Sequence, residues 1–371
     1  MVQYRYLAHD LRTNALLEEL PLTGVSFGGV LDGAGAFQAM LQLNQQMQTA
    51  PGVLISKAAL LAAATVTGRS IVYVERDGVL IDGYILWTRV YDSSTQTMAL
   101  GGLSVLSYFD RRRNNVDQVF TATDQLSLAR ALLIVAQAQP GGNIGVTIGS
   151  ETCGVLRDRT YRGYEHKKIG EALRQLAAVD NGFDFSIDVA YVAGTPTKTF
   201  RPSYPARGRT ATSSELVFEV GRNILSYKFP EDSAAQATRM YGEGAGDGAN
   251  MLVSTATRTD VIDAGWPLLE DAIAIKDVSV QSTLDAHTRA HALARGNPVA
   301  VPQVTVTGGG DPPLGGWIVG DWAKFVFGTD PAHPDPMFPT RTELLYRIVG
   351  YTCKPGDLGE EQVTLTLNGA T

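Results

Sequence analysis

Alternating apolar and polar positions dominate the first hundred residues and read as β-strands. Val2 to Ala8 and Ala15 to Leu20 flank "HDLRTN", and Val25 to Leu31 and Phe37 to Leu43 flank "DGAGA", which predicts two hairpins. A serine followed by an alanine- and leucine-rich run predicts a short helix over Ser56 to Ala64. Beyond it, "SIVYVERDGVLIDGYILWTRV" places Asp77 and Gly78 between two alternating runs, a strong two-residue hairpin signal.

The pattern changes after "SYFDRRRNNVD". A helical period runs from Asp124 to Gln137 and stops at "QPGG". A second, Glu165 to Val179, puts Ile169, Leu173, Leu176 and Ala177 on one stripe and ends at Asn181 and Gly182, residues suited to a left-handed cap. "GFDFSIDV" then alternates strictly, with Phe183, Phe185 and Ile187 on one face and Asp184, Ser186 and Asp188 on a wet one. The proline-containing stretch "AGTPTKTFRPSYPARGRTATSS" (193–214) reads as a linker, with strands resuming at Glu215. The last part is strand-rich, with one helix over Ser282 to Arg295 closed by Gly296 and Pro298. Its final strands, "WIVGDWAKFVF", "LLYRIVGYTC" and "EQVTLTLNG", alternate as barrel strands do. The expected fold class is α+β, mainly β. Two β-barrel-like domains, 1–108 and 213–371, bracket a smaller α/β domain, 109–212, which contains the linker.

Charge narrows the function. The 31 basic and 38 acidic residues give a net charge of -7, and the longest basic block is Arg111 to Arg113. A nucleic-acid interface needs many cations on one face, and that footprint is missing. A negative balance suits a protein past which nucleic acid moves without sticking. Cys153 and Cys353 are far apart and form no CxxC pair, so both read as reduced thiols, with a disulfide left open. The N-terminus lacks the basic and apolar regions of a signal peptide, and no apolar run reaches the roughly 20 residues a bilayer span needs.

Five places in the chain carry residues of candidate chemistry. "RMYGEGAGDGANMLV" carries Gly242, Gly244, Gly246 and Gly248, but strand-like residues follow where a dinucleotide or Walker loop needs a helix or a Lys-Ser/Thr pair. It therefore reads as a hairpin turn. His287 and His291 stand one helical turn apart without the glutamate of a metalloprotease motif or a third ligand. Asp184 and Asp188, four apart in a strand, are spaced by ~13 Å, whereas a glycosidase pair needs about 5 to 9.5 Å. His9, His166 and His333 fall in turn-like or surface contexts with no serine or cysteine nucleophile beside them. Trp317 and Trp322, five apart in one expected strand, face opposite sides, which weakens a sugar-stacking role. No catalytic, cofactor-binding or metal-ligating residue is assigned, no cofactor is expected, and the chain is read as non-enzymatic.

Several stretches together carry a resemblance. "YRYLAHDLRTNALLEELPLTGVSFGGVLDGAGAF", "SYFDRRR", "DQLSLARALL", "SETCGVLRDRTYRGYEHKKIGEALRQLAAVDNGFDFSIDV", "GRNILSYKF", "ATRMYGEGAGDGANML" and "GWPLLE" resemble the minor tail proteins of long-tailed, non-contractile actinobacterial phages. Those proteins are tail hubs, similar to contractile-phage baseplate hubs and to the bases of secretion spikes. The resemblance implies a phage baseplate hub-like fold in a virion protein made in the host cytoplasm and located at the tail tip. It also implies a homotrimer that closes the tail tube and adapts sixfold to threefold symmetry. The implied partners are the distal tail protein ring, the tape measure protein and fibre or spike proteins, with DNA passing through unbound. Many such hubs carry a C-terminal lytic extension that this sequence lacks, which places lysis or receptor binding in another protein. The glycine loop and the proline loop Asp330 to Pro339 are the expected tips for neighbour contacts.

Overall fold

The computed structural model describes residues 2–44, 46–50, 53–300, 302–328, 334–356 and 360–368. The chain forms two compact units: one of residues through Leu173, Asp184–Tyr227 and those from Gln303, the other of Arg174–Phe183 and Lys228–Pro302. The fold is mainly β, as the alternation predicts.

The first unit is built on a 13-stranded sheet. From one end its strands are Ile224–Lys228, Gln303–Thr307, Gln362–Asn368, Thr342–Lys354, Leu22–Val30, Ala36–Gln42, Thr97–Ser104, Val79–Asp92, Ser70–Arg76, Tyr4–Asp10 and Leu16–Glu19. Val217–Glu219 and Trp322–Phe327 branch off the Thr342–Lys354 strand. The first and last parts of the sequence join edge to edge in this sheet. Leu22–Val30 runs antiparallel to Thr342–Lys354, with Phe27 opposite Cys353 and Gly29 opposite Tyr351. No barrel closes among the described residues. Alternation fixes which face of a strand is buried but not which strand lies beside it, so a shared sheet and two barrels read alike in sequence.

The join depends on a missing side chain. A Cβ on Gly28 would lie 1.9 Å from the Tyr351 carbonyl oxygen, so only glycine lets the two backbones meet here. The hairpins of the first segment form where expected. Asp77 and Gly78 both have positive φ, 49° and 81°, the type I′ geometry that matches strand twist. The short helix expected over Ser56 to Ala64 begins at Ala58, with the Ala58 N–H donating to Ser56 Oγ at 3.1 Å.

In the middle segment the Gln125–Ala138 helix is capped by Asp124, whose carboxylate accepts from the Leu126 and Ser127 N–H groups. The Ile169–Ala177 helix buries Ile169, Leu173 and Leu176, and Asn181 takes the left-handed conformation, φ 61°. Two expectations fail here. Residues 193–214 are not a linker throughout, because Thr195–Ser203 is a nine-residue strand paired along its whole length with Asp184–Val192. Its buried positions are Pro196, Lys198, Phe200 and Pro202, so two prolines and a lysine sit where apolar residues signal a strand. Nor is the Asp184/Ser186/Asp188 face simply wet, since the Asp184 side chain is only 14% exposed and ion-paired.

In the second unit, Arg239–Glu243 pairs antiparallel with Val253–Thr257 and parallel with Glu270–Ala274. The Gln281–Arg295 helix buries Leu284, His287, Thr288 and Ala292. Its small core includes Ala237, Met240 and Ala292.

Candidate functional site

The junction between the first and last segments carries a buried, hydrogen-bonded ion pair. Glu361 is 4% exposed. It receives a two-pronged contact from Arg76, Nε to Oε1 at 2.7 Å and Nη2 to Oε2 at 2.8 Å, and the Tyr4 hydroxyl donates to the same Oε1. A buried carboxylate held by a guanidinium fork and a phenol has most of its lone pairs satisfied. Aromatic rings fill the space beside it: Phe27 packs edge-on against Tyr4 and Tyr351, and Trp317 stands edge-on to Tyr351 at 5.4 Å. Burial drives the Cys353 thiol up to about 12 and raises the Tyr4 phenol far above its ordinary value, so neither ionises near neutrality.

A cleft of about 410 Å³ opens along this junction. Val30, Ile81, Asp82, Asp188, Arg207 and Ile318 are among its walls. The acids of the Asp184–Val192 strand are locked to cations from distant parts of the chain. Arg347 Nη2 donates to Asp184, the Arg207 N–H donates to Asp184 Oδ2 at 2.6 Å, and Arg207 Nη2 donates to Asp188 Oδ1 at 2.9 Å. Asp321, 1% exposed, accepts from Arg209 through backbone and side chain. Asp32 accepts from the Phe185 N–H at 2.6 Å; burial, then the nearby Asp184 charge, lifts its carboxyl to about 7. Asp82 is lifted to about 7 as well, by burial first and by Asp188 last. Sequence reasoning did not single out Asp32, Asp82, Arg76 or Glu361. Their partners lie up to 285 positions away, and no local spacing signals them.

The residues weighed in the sequence fall into separate places. The glycine loop joins two antiparallel strands, as read. Gly246 and Gly248 have positive φ at its exposed tip, but Gly242 serves another end: a Cβ there would lie 2.1 Å from Thr288 Oγ1 on the Gln281–Arg295 helix. His287 is buried, and burial, then the Arg295 charge, lowers the pKa of half-buried His291. No cluster of three His, Cys, Asp or Glu with metal-binding geometry occurs among the described residues. Arg289 reaches Asp180 at 3.9 Å, and Arg295 pairs with Asp271.

His9 is not in a surface turn. It is 5% exposed in the Tyr4–Asp10 strand, with Nδ1 2.8 Å from the Asn14 carbonyl. His166 does occupy a turn, in the left-handed conformation, and His333 lies outside the described residues. Trp317 and Trp322 do not share a strand: Trp317 is buried in a turn, and half-buried Trp322 begins the Trp322–Phe327 strand. Cys153 and Cys353 are both free. Of the proline loop, residues 330–333 lie outside the described residues; Met337 is exposed and Phe338 stacks on Phe327. No helix among the described residues is long and apolar enough to cross a membrane.

Large apolar side chains stand in solvent on the first unit. Val90 and Tyr91, consecutive and so on opposite faces of their strand, are 66% and 54% exposed near the end of the long hairpin formed by Val79–Asp92 and Thr97–Ser104. Leu16 and Leu17 are exposed on the edge strand Leu16–Glu19. Large apolar side chains displayed in this way are suited to contact with other proteins.

The whole architecture recurs in solved structures. The 43 kDa tail protein of prophage MuSo2 from Shewanella oneidensis superposes with a TM-score of 0.63 at 11% identity, over 98% of each chain. The chain shares its fold with phage tail proteins. A tail protein from Neisseria meningitidis MC58 matches with a TM-score of 0.60 at 12% identity, over 99% of this chain and 96% of that one. Prophage tail protein gp18 from Listeria monocytogenes EGD-e gives 0.56 at 14% identity, over 98% and 94%. No protein-family model and no curated protein sequence matches the chain.

Proposed function

We propose that this protein is a structural hub of a phage tail tip, which closes the distal end of the tail tube and forms part of the DNA exit channel. The observation that carries the reading is the end-to-end match in fold to a prophage tail protein of nearly the same extent, 98% of each chain. The junction supports it. A sheet shared by the first and last segments, clamped by Arg76 and Glu361, makes one firm block of parts 285 residues apart.

Three such subunits would bring six related sheet-bearing segments into one ring. The ring then meets a sixfold tube on one side and a threefold tip on the other, without a further adaptor protein. Its partners in this role are two further copies, the distal tail ring, the tape measure protein and a fibre or spike. The net charge of -7 opposes adhesion of passing DNA. The protein works by assembly and not by bond cleavage. Gold-labelled antibody against the purified protein, applied to intact particles, is expected to decorate the end of the tail distal to the capsid. Labelling of the capsid or the tube wall would remove the reading.

One observation favours a second reading, a tail-associated cell-wall hydrolase. Asp82, held near pH 7 in its titration, lines the same cleft as Asp188, and acids tuned in this way occur in general acid catalysis. Arg207 and Ser186 already engage Asp188, which leaves it a poor base. A zymogram on host cell wall decides between the two: clearing that disappears in Asp82→Asn would establish the hydrolase, and the hub reading expects no clearing from either protein.

A further inference from the structure

Lys198 is a buried amine with no carboxylate beside it among the described residues. It is 2% exposed, and its Nζ donates to the Tyr73 hydroxyl at 3.4 Å, a long contact. Tyr73 in turn donates to Asn14 Oδ1 at 2.9 Å, and the His9 ring stands edge-on to the Tyr73 ring. Burial, and more weakly the Lys198 charge, lowers the pKa of that imidazole, and neither form of a histidine ring carries a negative charge to balance the ammonium. Burial lowers the amine to about 8, which leaves it mostly protonated at neutral pH. A desolvated ammonium without an anion is costly, and such a group is retained where something else compensates it.

The surroundings supply a place for an anion. A Cβ on Gly145 would lie 3.9 Å from both Cε and Nζ of Lys198, so a residue without a side chain abuts the amine. Gly145 is also a wall of an open cavity of about 790 Å³ that Asp10, Arg12, Thr13, Arg69 and Asn143 help to form. The Arg12 guanidinium is exposed and makes no hydrogen bond or ion pair with the described residues. Arg69 reaches Asp10 Oδ2 through Nε at 3.1 Å. The other oxygen of Asp10 accepts from the Arg12 and Thr13 N–H groups and from the Thr13 hydroxyl, so this carboxylate is fully engaged. Two arginines thus line the cavity with one committed acid, and the Lys198 ammonium lies behind its Gly145 wall, in a chain whose net charge is negative.

We propose that this cavity binds a phosphate group, held by Arg12 and Arg69 and by the charge of Lys198 behind Gly145. Forked guanidinium donors match tetrahedral oxyanions, and the cavity exceeds the volume of the bare ion, which leaves room for a substituent. The phosphate is supplied either free or as the terminal group of a nucleic-acid strand. This goes beyond the hub reading and does not depend on it.

Isothermal titration of the full chain tests it, with inorganic phosphate and with a short single-stranded oligonucleotide carrying or lacking a 5′-phosphate. The expected result is saturable one-to-one binding of inorganic phosphate or of the 5′-phosphorylated strand, weakened about tenfold by Arg12→Ala, a change at an exposed and unpaired side chain. Lys198→Met, shown to be folded by circular dichroism, is expected to weaken the same binding. Tighter binding of the 5′-phosphorylated strand than of the free ion identifies a strand end as the source; equal binding identifies the ion. Absence of saturable binding by both, or affinity unchanged in Arg12→Ala, overturns the proposal.

Discussion

Replacing Arg76 by Met isolates the clamp that joins the first and last segments. The methionine keeps an unbranched apolar stem like that of the arginine and removes the charged fork. Glu361, with its side chain 1% exposed, is then left with the Tyr4 hydroxyl as its donor, while Arg76 itself was only 13% exposed and so poorly screened. Removing one partner of such a buried pair costs about 3–5 kcal/mol, because a desolvated charge is stranded. For a unit of this size that loss lowers the melting temperature by on the order of 5–10 °C. Thermal and urea unfolding followed by circular dichroism reads the effect directly. The double variant Arg76→Met, Glu361→Leu should recover most of the loss, since a buried pair exchanged for apolar groups is often neutral. Two results would refute the reasoning: a single variant within about 1 kcal/mol of the parent, the range of an exposed ion pair, or a double variant no better than the single.

Further outcomes follow from other sites. Gly242→Ala should destabilise the protein by about 1–3 kcal/mol, because the new methyl meets Thr288 Oγ1, which is itself tied to the Leu284 carbonyl; urea unfolding checks it. Thiol labelling of the native protein should modify Cys153 alone, with Cys353 reacting only on unfolding, because it is buried and its pKa is raised to about 12. The raised carboxyls of Asp32 and Asp82 set a pH dependence. Their folded values, about 7, lie well above the ordinary aspartate value of about 4, so the native state binds these protons more tightly. Their contribution is fully present below about pH 4 and is lost as pH rises through about 7. Asp82→Asn should therefore flatten the fall in stability between pH 5 and pH 8, measured by urea midpoints across that range.

Much of the fold was legible because local rules and tertiary context agree. The Asp77–Gly78 hairpin, the Asp124-capped helix and the Gln281–Arg295 helix each follow from turn residues, caps and periodicity that the packing does not override. The Thr195–Ser203 strand was hidden because its buried face is Pro196, Lys198, Phe200 and Pro202, and no hydropathy pattern reads a proline-lysine-proline face as core. Asp184 and Asp188 looked solvated because Arg207 and Arg347, which neutralise them, come from other strands and loops. Long-range pairing also decided the junction: strand alternation gives no register between residue 28 and residue 352, so the join of the first and last segments left no mark in the sequence. The same limit hid the clamp and the phosphate cavity, each assembled from residues that share no motif.

The position and symmetry of this protein in an intact particle test the central claim most directly. Cryo-electron microscopy of the tail tip should show three copies in a ring on the tail axis, with their sheets forming a pseudo-sixfold surface toward the tube. A single copy lying off the axis, or its absence from the tail tip, would contradict the account.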